Sequence, residues 1–267
     1  MVVQSGKTAL ITGASTGIGA EFARKLGSRG MNLVLVACSE DKLKALADRL
    51  IKQHGISADI IVADLTKPDE VSRVVTTTRG LGREIHLLIN NAGFATFGRF
   101  EEQDPNREQD EVSLNVLTLV ALTHAYLPGM LERHAGGIIQ VASIAGFQPV
   151  PYMAIYGATK AFVFSFSEAL RNELKDTGVT VTALLPGPTE TNFFHRADMD
   201  DTSVGVSKKD DPADVARDGF NALMAGKDKV IAGSLKTKVM GLASELVPPT
   251  VSAQVHRGMS EPGSGEK

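Results

Sequence analysis

The feature that most constrains the fold is a regular alternation of short apolar runs with longer amphipathic ones. Apolar runs such as residues 32–37 predict strands buried on both faces, and the stripe of Leu43, Leu46 and Leu50 predicts a helix after that strand. Further strands are expected at 8–11, 58–63, 85–89, 136–142, 179–185 and 229–232, with long helices at about 111–133 and 156–175. This alternation predicts an α/β fold, a doubly wound parallel sheet of about seven strands with helices on both faces.

Polar and glycine-rich segments follow several of the predicted strands. They are residues 12–19, Asp64, residues 90–93, Ser143 and residues 186–191. Parallel strands end at the same edge of a sheet, and ligands bind outside that edge. These segments are therefore expected to meet in one site.

The first of these segments carries glycines at positions 13, 17 and 19. Glycine lets the chain turn sharply and lets a pyrophosphate approach the N-terminus of the next helix, where free N–H groups favour negative charge. The segment predicts a dinucleotide site, with a plain strand-to-helix turn as the alternative.

Tyr156 and Lys160 are four residues apart, so both project from the same face of the predicted helix. Ser143 ends a predicted strand and can meet them above the sheet. Such a trio suits proton transfer to or from a carbonyl or alcohol oxygen. The phenol carries the proton, the ammonium lowers the pKa of the phenol towards neutrality, and the serine holds the reacting oxygen. The alternative is an ordinary neighbour contact on a helix.

Length and charge limit the classes of function. The 267 residues, 43% hydrophobic and 22% charged, fit one domain at 1–260, with a tail at 261–267 expected to be disordered. A net charge of -3 and a pI of about 6.1 predict neither nucleic acid nor an anionic membrane as a partner. One cysteine, no long apolar run and an N-terminus leading directly into a strand favour a cytoplasmic location.

Two stretches outside the alternation bear on the site. Residues 192–211 are polar and irregular, which is typical of a lid beside a strand-end site or of a solvated connection. The sequence predicts one or two helices over residues 234–260, and we expect them to cover the substrate cleft or an oligomer surface. The six histidines show no metal-ligand spacing, so no metal site is expected.

Together these segments resemble the short-chain dehydrogenase/reductase family, in its compact single-domain form. Residues 12–19 match the family's T-G-x-x-x-G-x-G loop, and residues 90–93 match its N-N-A-G segment. The residues that match its catalytic set in order and spacing are Asn115, Ser143, Tyr156 and Lys160. The resemblance covers about residues 5–233. It implies a Rossmann-type fold and hydride transfer between a nicotinamide cofactor and a carbonyl or secondary alcohol.

The same resemblance implies a role for each catalytic residue. Tyr156 passes a proton to or from the substrate oxygen, while Lys160 lowers the phenol pKa and holds the nicotinamide ribose. Ser143 orients the carbonyl, and Asn115 links Lys160 to solvent through its helix backbone and a water. The residues implied in cofactor binding are Gly13, Ser15, Thr16, Gly17, Ile18, Gly19, Cys38, Ser39, Asp64, Leu65, Asn91, Ala92, Gly93, Tyr156, Lys160, Pro186, Gly187, Thr189 and Thr191.

The choice of cofactor depends on the residues at the end of the second strand, and these residues favour NADP(H) over NAD(H). NAD-preferring relatives carry an acid there, where this chain has Ala37. NADP-preferring relatives carry a basic residue one or two positions further on, or just before the second loop glycine. This chain has Cys38, Ser39 and Thr16 at those positions, and Lys42 one helical turn later. Ser39 can hydrogen-bond a 2′-phosphate; weak or dual selectivity is the alternative.

The expected substrate is an apolar ketone or an acyl or aryl carbonyl. The side chains that suggest an apolar pocket are Phe94, Phe97, Phe193, Phe194 and those of the loop 144–153. The same side chains can instead pack beneath the lid. The competing functions are a non-catalytic dinucleotide-binding protein and a sugar epimerase or dehydratase of the type found among the longer relatives. Relatives commonly pair through two long helices, so a homodimer or homotetramer is expected.

Overall fold

The computed structural model describes residues 5–244 and 247–266, which contain a seven-stranded parallel sheet with helices on both faces. The strands are β1 (Thr8–Thr12), β2 (Asn32–Ala37), β3 (Ala58–Val62), β4 (Ile85–Asn90), β5 (Gly136–Val141), β6 (Val179–Pro186) and β7 (Lys229–Ala232). Their order is β3-β2-β1-β4-β5-β6-β7, and all neighbouring pairs are parallel. Strand order reverses between β1 and β4, where a doubly wound sheet binds its ligand. The predicted fold class is confirmed.

The helices occupy the connections between strands. They are α1 (Gly17–Gly27), α2 (Glu40–His54), α3 (Pro68–Gly80), α4 (Pro105–Val112), α5 (Leu119–Glu132), α6 (Ala154–Glu173), α7 (Phe193–Arg196), α8 (Ser203–Val206) and α9 (Pro212–Met224). After β7 come α10 (Leu235–Ser244) and α11 (Pro249–Ser260). The stretch 192–211 therefore contains two short helices, α7 and α8.

Two apolar layers hold the helices against the sheet. Ile11 and Leu35 face α1, α2 and α9 in one layer, whereas Leu10 and Val34 face α3, α5 and α6 in the other. Successive residues of a strand point to opposite faces, so one apolar run supplies both layers. Burial of a large side chain such as Phe22, which is fully enclosed by the first layer, contributes roughly 2–3 kcal/mol.

The helix predicted at 111–133 begins earlier than expected. α4 starts at Pro105, after Asp104 caps it by accepting a hydrogen bond from the amide of Asn106 at 2.9 Å. It continues through a π-helical turn, Ser113–Thr118, into α5. The first turns of α4 are polar and lie mostly outside the apolar layers, so the sequence shows no apolar stripe there.

The helical unit formed by α4 and α5 is long and apolar enough, by length and composition, to cross a bilayer. In the structure α5 instead packs on the sheet, with Leu122 and Met130 fully buried in the second apolar layer. Core helices of α/β proteins share this composition, so the helix carries no argument for a membrane.

The predicted disorder of the tail 261–267 disagrees with the structure. The described part of the tail folds back onto the start of α8, where Ser264 accepts two hydrogen bonds from Ser203, at 2.7 and 2.9 Å. The polar composition of the tail predicts disorder because it offers no apolar side chains to pack against the core. Polar contacts hold the tail instead, and composition does not reveal them. Lys267 lies outside the described residues.

Candidate active site

A cleft of about 670 Å³ opens at the C-terminal edge of the sheet. All of the predicted site residues line this cleft except Gly19 and Asn115, which lie behind its wall. Residues from the first loop to position 191 thus meet in one place, as expected from the parallel strand order.

The loop between β1 and α1, here called the glycine loop, approaches its neighbours so closely that its glycine positions leave no room for a side chain. Gly13 and Gly17 have φ angles of 64° and 55°, in the left-handed region that favours glycine. A Cβ on Gly17 would lie 2.8 Å from Thr191 Cγ2, and one on Gly19 would overlap the carbonyl oxygen of Gly13. Thr16 precedes α1 without capping it through its side chain, so amides of the first turn are available to an anion. The loop fits a pyrophosphate.

Asn91 and Thr12 join the ends of β4 and β1. The amides of Asn91 and Ala92 each donate to Thr12 Oγ1 at 2.9 Å, and Asn91 Nδ2 donates to the carbonyl oxygen of Thr12 at 2.8 Å. The Asn91 side chain is therefore part of the scaffold that holds the two strand ends together beside the cleft.

Ser143, Tyr156 and Lys160 converge beyond the end of β5. Ser143 Oγ accepts a hydrogen bond from the amide of Ala145 at 3.1 Å and donates one to the carbonyl oxygen of Pro186 at 3.3 Å. The same hydroxyl lowers the pKa of the Tyr156 phenol. Lys160 Nζ donates to the carbonyl oxygen of Val141 at 2.9 Å and lies 5.6 Å from the centre of the Tyr156 ring. The helical spacing thus brings the three groups together as expected.

Desolvation controls the protonation of this trio. Tyr156 is half-buried because its ring borders the cleft, yet the protein atoms packed around it raise its pKa to about 12, against the lowering by Ser143. Burial lowers the pKa of Lys160 to about 8. Among the protein's own groups, desolvation of the phenolate and the Glu111 charge both raise the phenol pKa, and the Ser143 hydroxyl offsets only part of that rise. The predicted lowering towards neutrality by Lys160 and a cationic cofactor ring stays a prediction. At neutral pH a neutral phenol lies beside an ammonium.

Asn115 lies in the π-helical turn and clamps two elements behind the trio. Its Nδ2 donates to the carbonyl oxygen of Phe94 at 2.9 Å and to Thr159 Oγ1 at 3.1 Å, while its Oδ1 accepts from the amide of Phe94 at 3.2 Å. The side chain therefore ties the loop after β4 to α6. The role given to its backbone and a water stays a prediction.

Glu111 is a site residue that the sequence analysis missed. It is fully buried one turn before Asn115, and its Oε2 accepts hydrogen bonds from the amide and hydroxyl of Thr96, both at 2.7 Å. Its Oε1 is buried without a hydrogen-bond partner among the described residues. Burial raises the pKa of this carboxyl, and the Lys160 charge opposes that rise. The only sequence signal was its spacing to Asn115, which is equally typical of a solvated helix face.

The adenosine end of the cleft contains the residues that bear on cofactor choice. Cys38 Sγ donates to the carbonyl oxygen of Ala63 at 3.2 Å, and burial raises the pKa of this thiol. Ser39 precedes α2 without capping it through its hydroxyl. Arg196, which the sequence analysis did not assign to the site, reaches this end from α7 and donates from Nη2 to Thr16 Oγ1 at 3.1 Å.

The other end of the cleft is mostly apolar. The ring of Phe193 lies 5.2 Å from that of Tyr156, centre to centre. Further apolar side chains that line this end are Phe94, Val150, Met153, Phe194, Met199, Met240 and Met259. Phe97 packs behind this wall, and Phe147 packs instead against Phe164 at 5.1 Å. Residues of α7 and α11 thus border the space beside the phenol.

The family model for short chain dehydrogenases matches residues 7–202. Among known proteins, an uncharacterised oxidoreductase of Staphylococcus saprophyticus is 34% identical over 223 residues, covering 84% of this chain and 93% of that protein. The very-long-chain 3-oxoacyl-CoA reductase of Rattus norvegicus is 36% identical over 186 residues, which is 68% of this chain. This chain spans only 59% of the length of that reductase.

Solved structures give the same result. A short-chain dehydrogenase from Sphingobium yanoikuyae in complex with NADPH is 37% identical with a TM-score of 0.79, covering 84% of this chain and 87% of the other. The bulky-bulky ketone specific alcohol dehydrogenase of Comamonas testosteroni is 33% identical with a TM-score of 0.76, covering 90% and 94%. A relative from Burkholderia phymatum in complex with NAD is 26% identical with a TM-score of 0.81, covering 98% and 99%.

Fold, glycine loop and similarity together define a nucleotide-dependent oxidoreductase. The chain belongs to the short-chain dehydrogenase family. It is accordingly an NAD(P)-dependent dehydrogenase or reductase, and its loop and cleft fit such a cofactor.

Proposed function

We propose that this protein reduces an apolar ketone, or an acyl or aryl carbonyl, with NADPH and oxidises the matching secondary alcohol in the reverse direction. The observation that carries the proposal is the convergence of Ser143, Tyr156 and Lys160 beside the apolar end of the cleft. A carbonyl placed there lies beside both a proton donor and the ring of Phe193, which contacts the ring of Tyr156.

The proposed chemistry is general acid–base catalysis by Tyr156. The bound nicotinamide supplies the hydride for reduction and accepts it for oxidation. Tyr156 is a neutral phenol at pH 7, because its pKa is raised to about 12, so it can give its proton to the carbonyl oxygen as that oxygen gains charge. Ser143 holds the same oxygen, and Lys160 stabilises the phenolate left behind. Proton transfer of this kind contributes on the order of 10² to 10⁴ in rate.

Preference for NADPH is supported by the end of β2. Ala37 lines the cleft there, where an acid would bond the 2′- and 3′-hydroxyls of an NAD ribose. The Sphingobium enzyme, which was solved with NADPH, is also the more similar in sequence of the two cofactor-bound structures compared above. Use of NADH, alone or beside NADPH, is the second candidate, and the NAD bound to the Burkholderia relative favours it.

The choice of an apolar substrate is supported by the cleft and by one relative. Methionines and phenylalanines form most of the wall beside Tyr156, and such a wall binds alkyl and aryl groups better than the hydroxyls of a sugar. The Comamonas relative is a bulky-bulky ketone specific alcohol dehydrogenase. A non-catalytic role is disfavoured, because Ser143, Tyr156 and Lys160 are all present and line the same cleft.

Consumption of NADPH in the presence of aryl ketones, long-chain alkyl ketones and ketoses tests this function. We expect kcat/KM for the apolar ketones to exceed that for ketoses by at least about tenfold, the difference that ~1.4 kcal/mol of apolar contact provides. Faster turnover of ketoses would contradict the substrate class. Equal kcat/KM with NADH would favour the dual-cofactor candidate and leave the reaction class intact.

We further propose a cytoplasmic homodimer or homotetramer that binds neither nucleic acid nor a membrane. Leu117, just before α5, is 58% exposed and Phe162 of α6 is 43% exposed, which supports pairing through these helices. Light scattering of the purified protein measures its oligomeric state, and a monomer at micromolar concentration would contradict the proposed homodimer or homotetramer.

A further inference from the structure

Arg196 occupies an unexpected place in the cleft. It ends α7, yet its Nη2 donates to the hydroxyl of Thr16, a residue 180 positions earlier in the chain, at 3.1 Å. Thr16 is the residue just before Gly17 of the glycine loop. The Arg196 charge also acts on Cys38 at the end of β2, where it favours the thiolate. The guanidinium therefore lies between the glycine loop and the end of β2.

These two places are the ones where NADP-preferring relatives are expected to carry a basic residue. Neither Thr16 nor Cys38 supplies one here. Arg196 brings a guanidinium to the same region from a distant part of the chain, and Ser39 and Lys42 line the cleft beside it. The Ser39 hydroxyl and two cations thus line the cleft around the end of β2, together with the Asp64 carboxylate, whose charge also acts on Cys38.

The Arg196 side chain keeps most of its binding capacity. A guanidinium has five N–H donors, and the hydrogen bond to Thr16 uses one of them. Among the residues that the structure describes, no carboxylate forms an ion pair with Arg196. A planar fork of free donors matches the oxygens of a phosphate better than a point charge does.

We propose that Arg196 binds the 2′-phosphate of NADP(H) and is the residue that sets cofactor preference, in place of the missing basic residue on the loop or on the second strand. The inference rests on the proposed use of NADPH. It assigns to α7 a second task besides bordering the substrate, because Phe193 begins the same short helix and its ring contacts Tyr156.

Equilibrium binding to the purified protein separates this inference from the proposed function. Affinities of NADPH and NADH are measured from nucleotide fluorescence, which is free of tryptophan background because the chain has none. Adenosine 2′,5′-bisphosphate and 5′-AMP, competed against NADPH, report the 2′-phosphate without the nicotinamide. The variants are Arg196→Ala and Arg196→Lys. His195→Ala is the matched control, since His195 lies on the same helix, pairs with Asp200 and does not line the cleft.

We expect wild-type protein to bind NADPH at least about tenfold more tightly than NADH, which corresponds to ~1.4 kcal/mol. Arg196→Ala should weaken the binding of NADPH and of the bisphosphate by about tenfold or more. The affinities for NADH and AMP should stay within about twofold of the wild-type values. Arg196→Lys should lie between, because it keeps the charge and loses the fork. His195→Ala should bind all four nucleotides as the wild type does.

Three outcomes would overturn the inference. If Arg196→Ala weakens the binding of NADPH and NADH equally, Arg196 contacts the pyrophosphate and not the 2′-phosphate. The proposed use of NADPH would stand in that case. If Arg196→Ala keeps the preference for NADPH over NADH and Lys42→Ala loses it, the 2′-phosphate is bound by Lys42 and not by Arg196. Equal affinity of the wild type for NADPH and NADH would remove the proposed preference together with the role of Arg196.

Discussion

Tyr156, Lys160 and Glu111 share one poorly hydrated space, so each charge shifts the proton equilibria of the others. Desolvation opposes all three charged forms, and the Glu111 carboxylate opposes the phenolate while favouring the ammonium. Reduction needs the phenol and the ammonium together, so its rate should fall as the pH rises through about 8, where Lys160 loses its proton. Alcohol oxidation needs the phenolate, so its rate should rise with pH.

Glu111→Gln tests the electrostatic role of the buried carboxyl. Removing its negative charge lowers the pKa of Lys160 further, so the alkaline fall of the reduction rate should move to lower pH. The amide keeps an acceptor for Thr96, so the fold should persist. The pH dependence of kcat for ketone reduction measures the shift, with Glu132→Gln, exposed at the far end of α5, as the control. An unchanged profile would contradict the coupling.

The sequence could identify the reacting residues and could not identify those that adjust them. Ser143, Tyr156 and Lys160 follow from one strand end and one helical spacing, which are local features. Glu111 and Arg196 depend on which distant groups the fold places beside them, Lys160 in one case and Thr16 in the other. A charged residue in a polar stretch is most often solvated, so neither stood out.

At the scale of elements, apolar runs predicted the strands well because strands buried on both faces leave few polar positions. The start of α4 and the folded tail were missed because hydrogen bonds hold them, not an apolar stripe. The glycine loop was predicted from spacing, and the structure supplies its physical reason. Gly17 has a φ of 55°, and Thr191 packs directly against it.

Gly17→Ala tests the close approach of the glycine loop to the segment after β6. The new Cβ would lie 2.8 Å from Thr191 Cγ2, so we expect destabilisation by roughly 1–3 kcal/mol and at least about tenfold weaker NADPH binding. Thermal unfolding and nucleotide titration measure the two effects.

Gly55→Ala is the matched control for this change. Gly55 has a similar φ of 66°, but a Cβ there meets no atom of the described residues within 4 Å, so only the backbone cost of about 1 kcal/mol should appear. Removing Thr191 Cγ2 by Thr191→Ser should restore part of the binding lost in Gly17→Ala. Equal behaviour of Gly17→Ala and Gly55→Ala would contradict the steric account.

At the scale of the whole molecule, the buried site lowers the stability of the fold. The pKa of Lys160 falls from 10.5 to about 8 on folding, so between these pH values the unfolded chain binds more protons. Stability from this group therefore rises with pH across that window. Below it, the buried charge costs on the order of 3 kcal/mol, at 1.36 kcal/mol for each pKa unit.

Lys160→Met should remove this cost and abolish activity. The lost hydrogen bond to Val141 offsets part of the gain, so we expect the variant to be more stable than the wild type by about 1–2 kcal/mol at pH 7. The difference should shrink as the pH rises from 8 to 10.5. Denaturant unfolding across this range measures it, with exposed Lys175→Met as the control. A difference independent of pH would contradict the shifted pKa.

The measurement that tests the central claim most directly is the rate of a single turnover in Tyr156→Phe with NADPH already bound. The ring and its contact with Phe193 remain, and only the proton carrier is lost. We predict that reduction slows by about 10² to 10⁴ while NADPH affinity stays within about twofold. Tyr152→Phe, which removes a phenol outside the cleft, should behave as the wild type does. A Tyr156→Phe rate within about tenfold of the wild type would contradict proton transfer by Tyr156.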